Sequence, residues 1–279
     1  MIYTVTLNPS LDYYMELDEL QAGIINRSKS ERLEVGGKGI NVSKVLKELG
    51  IESTICGFYA GLIGETIVSE TKKLGIDTRW VEVKGNSRIN VKLLCEPETA
   101  INGSGCQANI EDLDKLCEAI NSDDDSIIVF SGSICKGLGN HAYAYMMSKL
   151  HGKIVVDAEE ELLTNTLRYK PFLIKPNNIE LGKIFNADIK TFQQAIIFGR
   201  RLCEAGAQNC VVSMGKMGSV FVNNTEAHIV NGKQVEAKTT VGAGDTILAG
   251  MLYGLAKRMR QEEALLYATR LTEDRMQGR

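Results

Sequence analysis

The chain has 279 residues, of which 44% are hydrophobic, so it can bury a sizeable core in one large domain. Its formal net charge is −3 and its pI is near 5.8, and no stretch concentrates lysine and arginine. This balance argues against a protein that binds nucleic acid or an anionic membrane surface.

The seven cysteines are scattered and contain no Cys-x-x-Cys pair. They predict small buried side chains in a reducing compartment rather than a disulfide framework. The first residues, Met1–Leu7, lack the basic start and long apolar region of a signal peptide, and no apolar run approaches membrane-spanning length. We therefore expect a cytoplasmic protein.

Short apolar strands alternate with amphipathic helices along most of the chain. The predicted strands are 2–7, 53–58, 79–83, 127–130, 154–156, 172–174, 210–213 and 219–222. The predicted helices are 42–49, 65–74, 110–120, 141–150, 179–185, 192–205 and 243–257. This order predicts a mostly parallel α/β sheet with helices on both faces. Two strand-rich stretches, 11–33 and 87–103, interrupt it, and we expect them to form a small β-sheet lid on a single domain, 1–279.

The stretch Thr239–Thr246 contains Gly242-Ala243-Gly244-Asp245 directly before an apolar stripe with helical spacing. It predicts a tight turn that opens a buried helix, with Asp245 in the first turn. Unpaired N–H groups and the helix dipole at such a start favour a phosphate group, and a neighbouring carboxylate can accept a proton from a hydroxyl. A plain turn with an acidic helix-start residue is an equally good interpretation of these residues alone.

Gly36-Gly37-Lys38-Gly39-Ile40-Asn41 opens a second helix. It lacks the spacing of a Walker A loop, because Gly39 rather than serine or threonine follows the lysine. It predicts either a site for a polar ligand, with Lys38 and Asn41 as contacts, or a simple strand-to-helix turn.

Arg88, Asn90 and Lys92 alternate with apolar residues, so they share one face of a predicted strand. Two cations and an amide on one face could bind a phosphate, whereas charged residues also protect ordinary edge strands. Both interpretations stay open.

Lys175-Pro176-Asn177-Asn178-Ile179-Glu180 follows a buried strand. Asn177 and Glu180 have the spacing of a capping box, which accounts for both residues, and the alternative places Glu180 near a hydrated Mg²⁺. Ser213–Gly218 predicts a turn between two strands, either a plain hairpin or a backbone that approaches a ligand. Asp157 ends a strand at the carboxyl edge of the sheet, where ligands bind in open α/β folds.

Two motifs together resemble the signatures of the ribokinase-like (PfkB) carbohydrate kinases: Gly36–Ser43 resembles the first, and Thr240–Asp245 resembles the second. Thr4–Pro9 with Asp12, Ser87–Lys92, Ser131–Ser133, Lys175–Asn177 and Ser213–Gly218 are similar to the phosphosugar branch of the family. The similarity is greatest to members that act on fructose 1-phosphate and next to those that act on tagatose 6-phosphate.

This resemblance implies an ATP- and Mg²⁺-dependent kinase that converts fructose 1-phosphate to fructose 1,6-bisphosphate. Asp245 would be the catalytic base, and Gly242, Ala243 and Gly244 would form the anion hole. The implied phosphosugar contacts are Asp12, Gly37, Lys38, Asn41, Arg88, Asn90 and Lys92. The implied nucleotide contacts are Lys175, Asn177, Ser213, Gly215 and Gly218, with Glu180 positioning the metal through water. A homodimer through the lid is also implied.

The helix dipole at Asp245 leads us to expect a carboxylate that stays ionised and is a weak base. The chain also departs from the family pattern. Ile134-Cys135 stands where the family usually has Leu-Pro, and residues 269–279 replace the small-residue helix that normally follows Ala268. We therefore expect a shortened or replaced C-terminal part that weakens ATP binding.

Two further functions follow as alternatives. The shortened C-terminus allows a phosphosugar-binding protein with impaired catalysis. A nicotinamide-dependent oxidoreductase is disfavoured, because position 247 is isoleucine where the dinucleotide fingerprint needs glycine. His141, His151 and His228 have no metal-binding spacing, so no metal site is expected from them.

Overall fold

The computed structural model describes residues 1–233 and 242–278, so that Thr240 and Val241 of the second motif lie outside the described residues. The strands are β1 Ile2–Thr6, β2 Ser10–Glu16, β3 Ser30–Gly36, β4 Thr54–Tyr59, β5 Asp77–Glu82, β6 Arg88–Leu94, β7 Thr99–Asn102, β8 Ile127–Ser131, β9 Lys153–Asp157, β10 Leu173–Ile174, β11 Cys210–Ser213, β12 Gly218–Val222 and β13 Ala227–Asn231. The helices are α1 Lys38–Glu48, α2 Gly61–Lys73, α3 Ile110–Ile120, α4 Ala142–Met147, α5 Glu160–Thr164, α6 Asn178–Phe185, α7 Phe192–Glu204, α8 Ala243–Ala256 and α9 Gln261–Met276.

Nine of these strands form one twisted sheet in the order β13-β12-β11-β10-β9-β8-β1-β4-β5. The neighbouring pairs from β11 to β5 are parallel, whereas β12 is antiparallel to both β11 and β13. Parallel neighbours need crossover connections, and the alternating helices provide them. The prediction of a mostly parallel α/β sheet is confirmed.

Different helices cover the two faces of this sheet. On β8, Ile128 and Phe130 belong to a core that includes residues of α3, α4 and α7. Val129, which lies between them, belongs to a second core formed with α1, α8 and α9. Successive side chains of a strand point to opposite faces, so a strand covered on both sides is apolar throughout.

The remaining four strands form a separate small sheet in the order β3-β2-β6-β7. They come from the two stretches that interrupt the α/β alternation in the sequence. β2 runs parallel to β6 and antiparallel to β3, with Asp12 opposite Asn90 and Ser10 opposite Arg88. The small sheet therefore begins directly after β1, at the carboxyl edge of the large sheet.

The sequence reading missed β13, α5 and α9. β13 is a short edge strand in which Val230 is the buried residue, so it lacks the apolar run that marks a central strand. α5 is a five-residue helix, too short for its periodicity to be read. Among the described residues, no helix combines the length and the apolar character needed to cross a membrane.

Two glycines of α8 allow it to pack closely against α9. A Cβ built on Gly250 would lie 2.6 Å from Ala268 Cα, and one built on Gly254 would lie 2.5 Å from Ala264 Cβ. The close approach matters for the site described below, because α8 carries Asp245 in its first turn.

We expect Gly250→Ala to lower the free energy of unfolding by about 1–3 kcal/mol, because the added methyl group overlaps the backbone of α9. Helix propensity alone predicts the opposite sign, a gain of about 1 kcal/mol. Urea denaturation distinguishes the two. Gly139→Ala is a matched control, since a Cβ there has no atom within 4 Å. A stabilised Gly250→Ala variant would contradict the packing described here.

Candidate active site

Both glycine-rich stretches begin helices, as predicted. α1 follows Gly37 and α8 follows Gly242, with φ angles of 129° and 76° that favour glycine. At Gly37 a Cβ would also lie 2.8 Å from Thr6 Cγ2. Because the N-cap residue of each helix is a glycine, no N-cap side chain accepts from the first-turn N–H groups, and within the described residues this favours binding of an anion there.

A hydrogen bond joins the two helix starts. Asn41 Nδ2, in the first turn of α1, donates to Asp245 Oδ2 over 2.8 Å. Asp245 is only 6% exposed. The amide therefore fixes the orientation of a buried carboxylate at the N-terminus of α8, where the backbone is positively polarised.

Asp157, the last residue of β9, is fully buried beside this pair of helices. Its Oδ1 lies 3.3 Å from Lys38 Nζ and 3.2 Å from Lys175 Nζ. Lys175 follows β10, is 3% exposed, and its Nζ would lie 3.3 Å from a Cβ built on Gly244. The Asp157 carboxylate thus holds the ammonium groups of Lys38 and Lys175 at the edge of the sheet, and that of Lys175 lies beside the start of α8.

Glu180 and Asn177 form the capping box that their spacing predicts. Asn177 Oδ1 accepts hydrogen bonds from the N–H groups of Ile179 and Glu180, and Glu180 Oε2 accepts one from Asn177 N, each 2.8 Å long. The cap does not use the whole carboxylate, because Glu180 Oε1 lies 3.9 Å from Lys38 Nζ. The structural interpretation is confirmed, and the second oxygen still faces the cluster of charges.

Several buried polar atoms near these residues have no hydrogen-bond partner among the described atoms. Three of these atoms belong to the last residues of the neighbouring strands β1, β8 and β9: Thr6 Oγ1, Ser131 Oγ and Asp157 Oδ2. The other two are Asn8 Oδ1, shortly after β1, and Asn90 Oδ1 in the small sheet. An unpaired buried polar atom is costly and usually has a functional explanation. Their concentration at the carboxyl edge of the large sheet makes this edge the candidate ligand site.

The pKa of Asp245 is raised to about 6, mainly because the carboxyl group is buried and secondarily because Asp157 is negatively charged. The hydrogen bond from Asn41 and the charges of Lys175 and Lys38 oppose this rise. The sequence-based expectation of a weak base is therefore wrong, since burial outweighs the favourable end of the helix. At neutral pH the group is still mainly ionised, and it is a stronger base than an exposed aspartate.

The pKa of Lys38 is raised. Burial lowers it, but the carboxylates of Asp157, Glu180 and Asp245 together outweigh the effect of burial. Lys38 therefore remains a cation inside the site, and it can meet an anionic ligand without first gaining a proton.

The small sheet contributes a polar face. Asp12 Oδ1 accepts hydrogen bonds from Ser10 Oγ over 2.7 Å and from Asn90 Nδ2 over 2.8 Å. Arg88 Nε donates to the backbone oxygen of Asn8 over 3.1 Å, which leaves the ends of its guanidinium group for another partner. Lys92 is farther along the strand, and its Nζ donates to Asn102 over 3.2 Å.

Three cavities surround these residues. A cavity of about 770 Å³ lies between the sheets and is lined by Gly37, Lys38 and Arg88. A second, of about 250 Å³, is lined by Asp12, Asn41 and, at the start of α8, by Gly242, Ala243 and Asp245. A third, of about 810 Å³, is lined by Gly215, Gly218 and residues of α9.

The structure thus brings Lys38, Asn41, Lys175, Glu180 and Asp245 into one cluster. Asp12, Arg88 and Asn90 lie on the facing side of the small sheet, while Lys92 is not among the residues that line the three cavities. Ser213 pairs through its backbone with Asn177, so these two belong to the adjoining edge of the sheet. The tight turn Gly215–Met217 joins β11 to β12, as its glycines predict.

The sequence analysis placed Asp157 at the ligand-binding edge of the sheet without a specific role and assigned no role to Asn8, and the structure places both beside the candidate site. Asn8 Nδ2 donates to the backbone oxygens of Ser104 and Ile134, each over 3.2 Å, and so ties the small sheet to the loop after β8. The position of Asp157 at the end of an apolar strand could have identified it as a site residue. The two lysines that flank it come from remote segments, and no spacing in the sequence reveals them.

The described residues hold no group of three or more acidic, histidine or cysteine side chains that could bind a metal ion. The donors that fit a divalent cation are the unpaired Asp157 Oδ2 and the second oxygen of Glu180. Mg²⁺ takes few protein carboxylates and keeps several waters and phosphate oxygens, so a sparse donor set of this kind suits it when a nucleotide is bound.

A family model described as pfkB family carbohydrate kinase matches residues 5–272 of the chain. The chain belongs to this family. It is therefore a sugar kinase of the ribokinase-like fold, and the resemblance stated from its two glycine-rich motifs is confirmed.

The chain is 38% identical over 268 residues to the 1-phosphofructokinase of Bacillus subtilis, an alignment that spans 95% of this chain and 88% of that one. It is 35% identical over 272 residues to the 1-phosphofructokinase of Borreliella burgdorferi, spanning 96% and 89%. Its fold is similar to the crystal structure of phosphofructokinase-2 from Escherichia coli in complex with fructose-6-phosphate, with a TM-score of 0.90, 26% identity, and coverage of 99% and 93%.

Proposed function

We propose that this kinase transfers the γ-phosphoryl group of ATP to fructose 1-phosphate and so forms fructose 1,6-bisphosphate. The observation that carries the proposal is the buried Asp245 in the first turn of an uncapped helix, held by Asn41 from the start of α1. Its relatives named 1-phosphofructokinase support fructose 1-phosphate as the acceptor.

The proposed chemistry needs alignment and charge stabilisation more than covalent help. The free hydroxyl oxygen of the sugar attacks the γ-phosphorus of ATP, the bond to the bridging oxygen breaks, and ADP leaves. Asp245 accepts the hydroxyl proton as the new O–P bond forms. The N–H groups of Gly242, Ala243 and Gly244 stabilise the charge on the transferring group, and each such donor is worth about a hundredfold in rate.

We assign phosphosugar binding to Asp12, Gly37, Lys38, Asn41, Arg88, Asn90 and Lys92. The strongest support is for Arg88 and Lys38, which are cationic and line the cavity between the sheets. Guanidinium and ammonium groups are the usual phosphate partners. Asp12 and Asn90 are already hydrogen-bonded to each other, so they can present a fixed set of oxygens and N–H groups to sugar hydroxyls.

We assign nucleotide binding to Lys175, Asn177, Ser213, Gly215 and Gly218. Lys175 lies beside Gly244, so its charge would neutralise a phosphate bound at the start of α8. Gly215 and Gly218 line the cavity of about 810 Å³, which has room for the base and ribose. Mg²⁺ would be positioned by Glu180 through water, with Asp157 as a second carboxylate, and would neutralise charge on the nucleotide phosphates.

The proposal is tested by ADP release with Mg²⁺–ATP over a panel that includes fructose 1-phosphate, fructose 6-phosphate, tagatose 6-phosphate and unphosphorylated fructose. We expect the highest kcat/KM for fructose 1-phosphate and very low turnover of fructose, because Arg88 and Lys38 would have no phosphate to bind. A preference for tagatose 6-phosphate would change the assigned sugar. Calorimetric binding of fructose 1-phosphate without ADP release would instead favour a binding protein.

The pKa of Asp245 predicts an acid limit of activity. The carboxylate accepts a proton only when ionised, so kcat/KM should fall about tenfold per unit as pH drops below about 6. Asn41→Leu removes a hydrogen bond that stabilises the ionised form, so the acid limit should move to higher pH.

Sugar phosphates, like other phosphate monoesters, also titrate near pH 6 and would add their own acid limit to the profile. The variant is therefore compared with the parent on the same substrate. Asn224→Ala, at an exposed position, is the control, and coincident profiles for Asn41→Leu and the parent would refute the assignment.

We also propose that the small sheets of two copies pair into a homodimer. Leu33 and Ile101 are 58% and 59% exposed, and register places them in one row across the sheet with Tyr13 and Val91. Light scattering should give the mass of a dimer, and Ile101→Glu should shift it towards the monomer. An unchanged mass distribution would exclude this face from the interface.

A further inference from the structure

Two cysteines that have no role in the proposed reaction lie against each other beside the candidate site. Cys106 follows the small sheet, and Cys135 lies in the loop after β8. Their Sγ atoms are 2.7 Å apart, both side chains are buried, and neither is in a disulfide.

The backbone holds the two residues in register. Gln107 and Lys136 form a parallel bridge, with Lys136 N donating to Cys106 O over 3.1 Å and Ala108 N donating to Lys136 O over 2.9 Å. Cys106 and Cys135 are therefore opposite each other, one inter-strand spacing of about 4.8 Å apart. Disulfides join Cα atoms about 4.4–6.8 Å apart, so an S–S bond fits this backbone without rearrangement.

The pair lies where three segments meet at the rim of the cavity between the sheets. Asn8 already connects Ser104, two residues before Cys106, with Ile134, the neighbour of Cys135. Arg88 donates to the backbone of Asn8, and both Arg88 and Ile134 line the cavity. A bond between the two sulfurs would thus connect the chain leaving the small sheet to the edge of the large sheet.

We propose that Cys106 and Cys135 are a redox-active dithiol that a two-electron oxidant of the diazene class converts to a disulfide. One thiolate adds to a nitrogen of the diazene, and the second thiol attacks the sulfur of that adduct. The S–S bond forms, the hydrazine leaves, and it carries the two protons and two electrons that the thiols lose. A small dithiol reverses the reaction by exchange.

The local electrostatics indicate which thiol reacts first. The contact with the Cys135 thiol lowers the pKa of Cys106, and the charge of Arg88 lowers it further, although burial opposes both effects. The neighbouring Cys106 raises the pKa of Cys135. Cys106 is therefore the attacking thiolate, and Cys135 completes the bond.

The disulfide would restrict the proposed kinase cycle, a consequence that rests on the proposed function. Closure of the small sheet over a sugar requires movement relative to the large sheet, and such closures often limit turnover. The bond would fix one connection between the two sheets. We expect a several-fold loss of kcat on oxidation, restored by reduction.

The test treats the full chain with diamide, alkylates the remaining thiols after unfolding, and maps the peptides without reduction. We expect one linked pair, Cys106–Cys135, with the other five cysteines alkylated: Cys56, Cys95, Cys117, Cys203 and Cys210. The link closes a loop of 29 residues, so the thermal midpoint should rise by on the order of 5 °C. Dithiothreitol should abolish the shift.

Cys106→Ser and Cys106→Ala should abolish the linked peptide, the thermal shift and the sensitivity of kcat to diamide. Cys117→Ser, which also replaces a buried thiol, is the matched control and should keep all three. Alkylation of both Cys106 and Cys135 after diamide treatment would overturn the proposed dithiol. A complete link with unchanged kcat would overturn its effect on turnover. If the chain transfers no phosphate, the peptide map and the thermal midpoint still show whether the disulfide between Cys106 and Cys135 forms.

Discussion

Replacing Asp245 with asparagine should lower kcat by about a thousandfold, because it removes the proposed proton acceptor and preserves the shape of the side chain. The amide can still meet Asn41, so the two helix starts should remain joined. Fructose 1-phosphate should bind within a few-fold of the parent in calorimetry, whereas ADP release should nearly disappear.

Asp274→Asn is the matched control for this substitution, because it neutralises an exposed carboxylate on α9. Its kcat should equal that of the parent. Turnover of Asp245→Asn within tenfold of the parent would show that another group accepts the proton or that the proton moves directly to the phosphate.

Asp157→Asn should lower the free energy of unfolding by about 3 kcal/mol, since it leaves the buried ammonium of Lys175 without its counter-charge. Urea denaturation measures the change. The substitution also has an electrostatic effect on the base: Asp157 raises the pKa of Asp245, so the acid limit of the remaining activity should move to lower pH.

Asp188→Asn is the comparison for an exposed ion pair, since Asp188 and its partner Lys190 are 71% and 76% exposed. Solvent screens such a pair, and its loss should cost less than about 0.5 kcal/mol. Equal effects of the two substitutions would mean that Asp157 does not anchor the lysine pair.

Several features of the site were predictable because they are local. The start of α1 after Gly37 and that of α8 after Gly242 follow from small residues placed before an apolar helical stripe. The capping box of Asn177 and Glu180 follows from a spacing of three residues. Strand alternation likewise predicted that Arg88, Asn90 and Lys92 share a face, and register now places them opposite Ser10, Asp12 and Tyr14.

The sequence by itself determined the class of fold and the family, because both depend on periodicity and on short motifs. It determined neither the strength of the base nor the charges around it. The pKa of Asp245 depends on burial and on Asp157, which is 88 positions away in the chain. The hydrogen bond between Asn41 and Asp245 joins residues that are 204 positions apart. Packing of remote segments sets these distances. For the same reason the pairing of Cys106 with Cys135 is invisible in their spacing, and only the bridge between Gln107 and Lys136 brings the two sulfurs together.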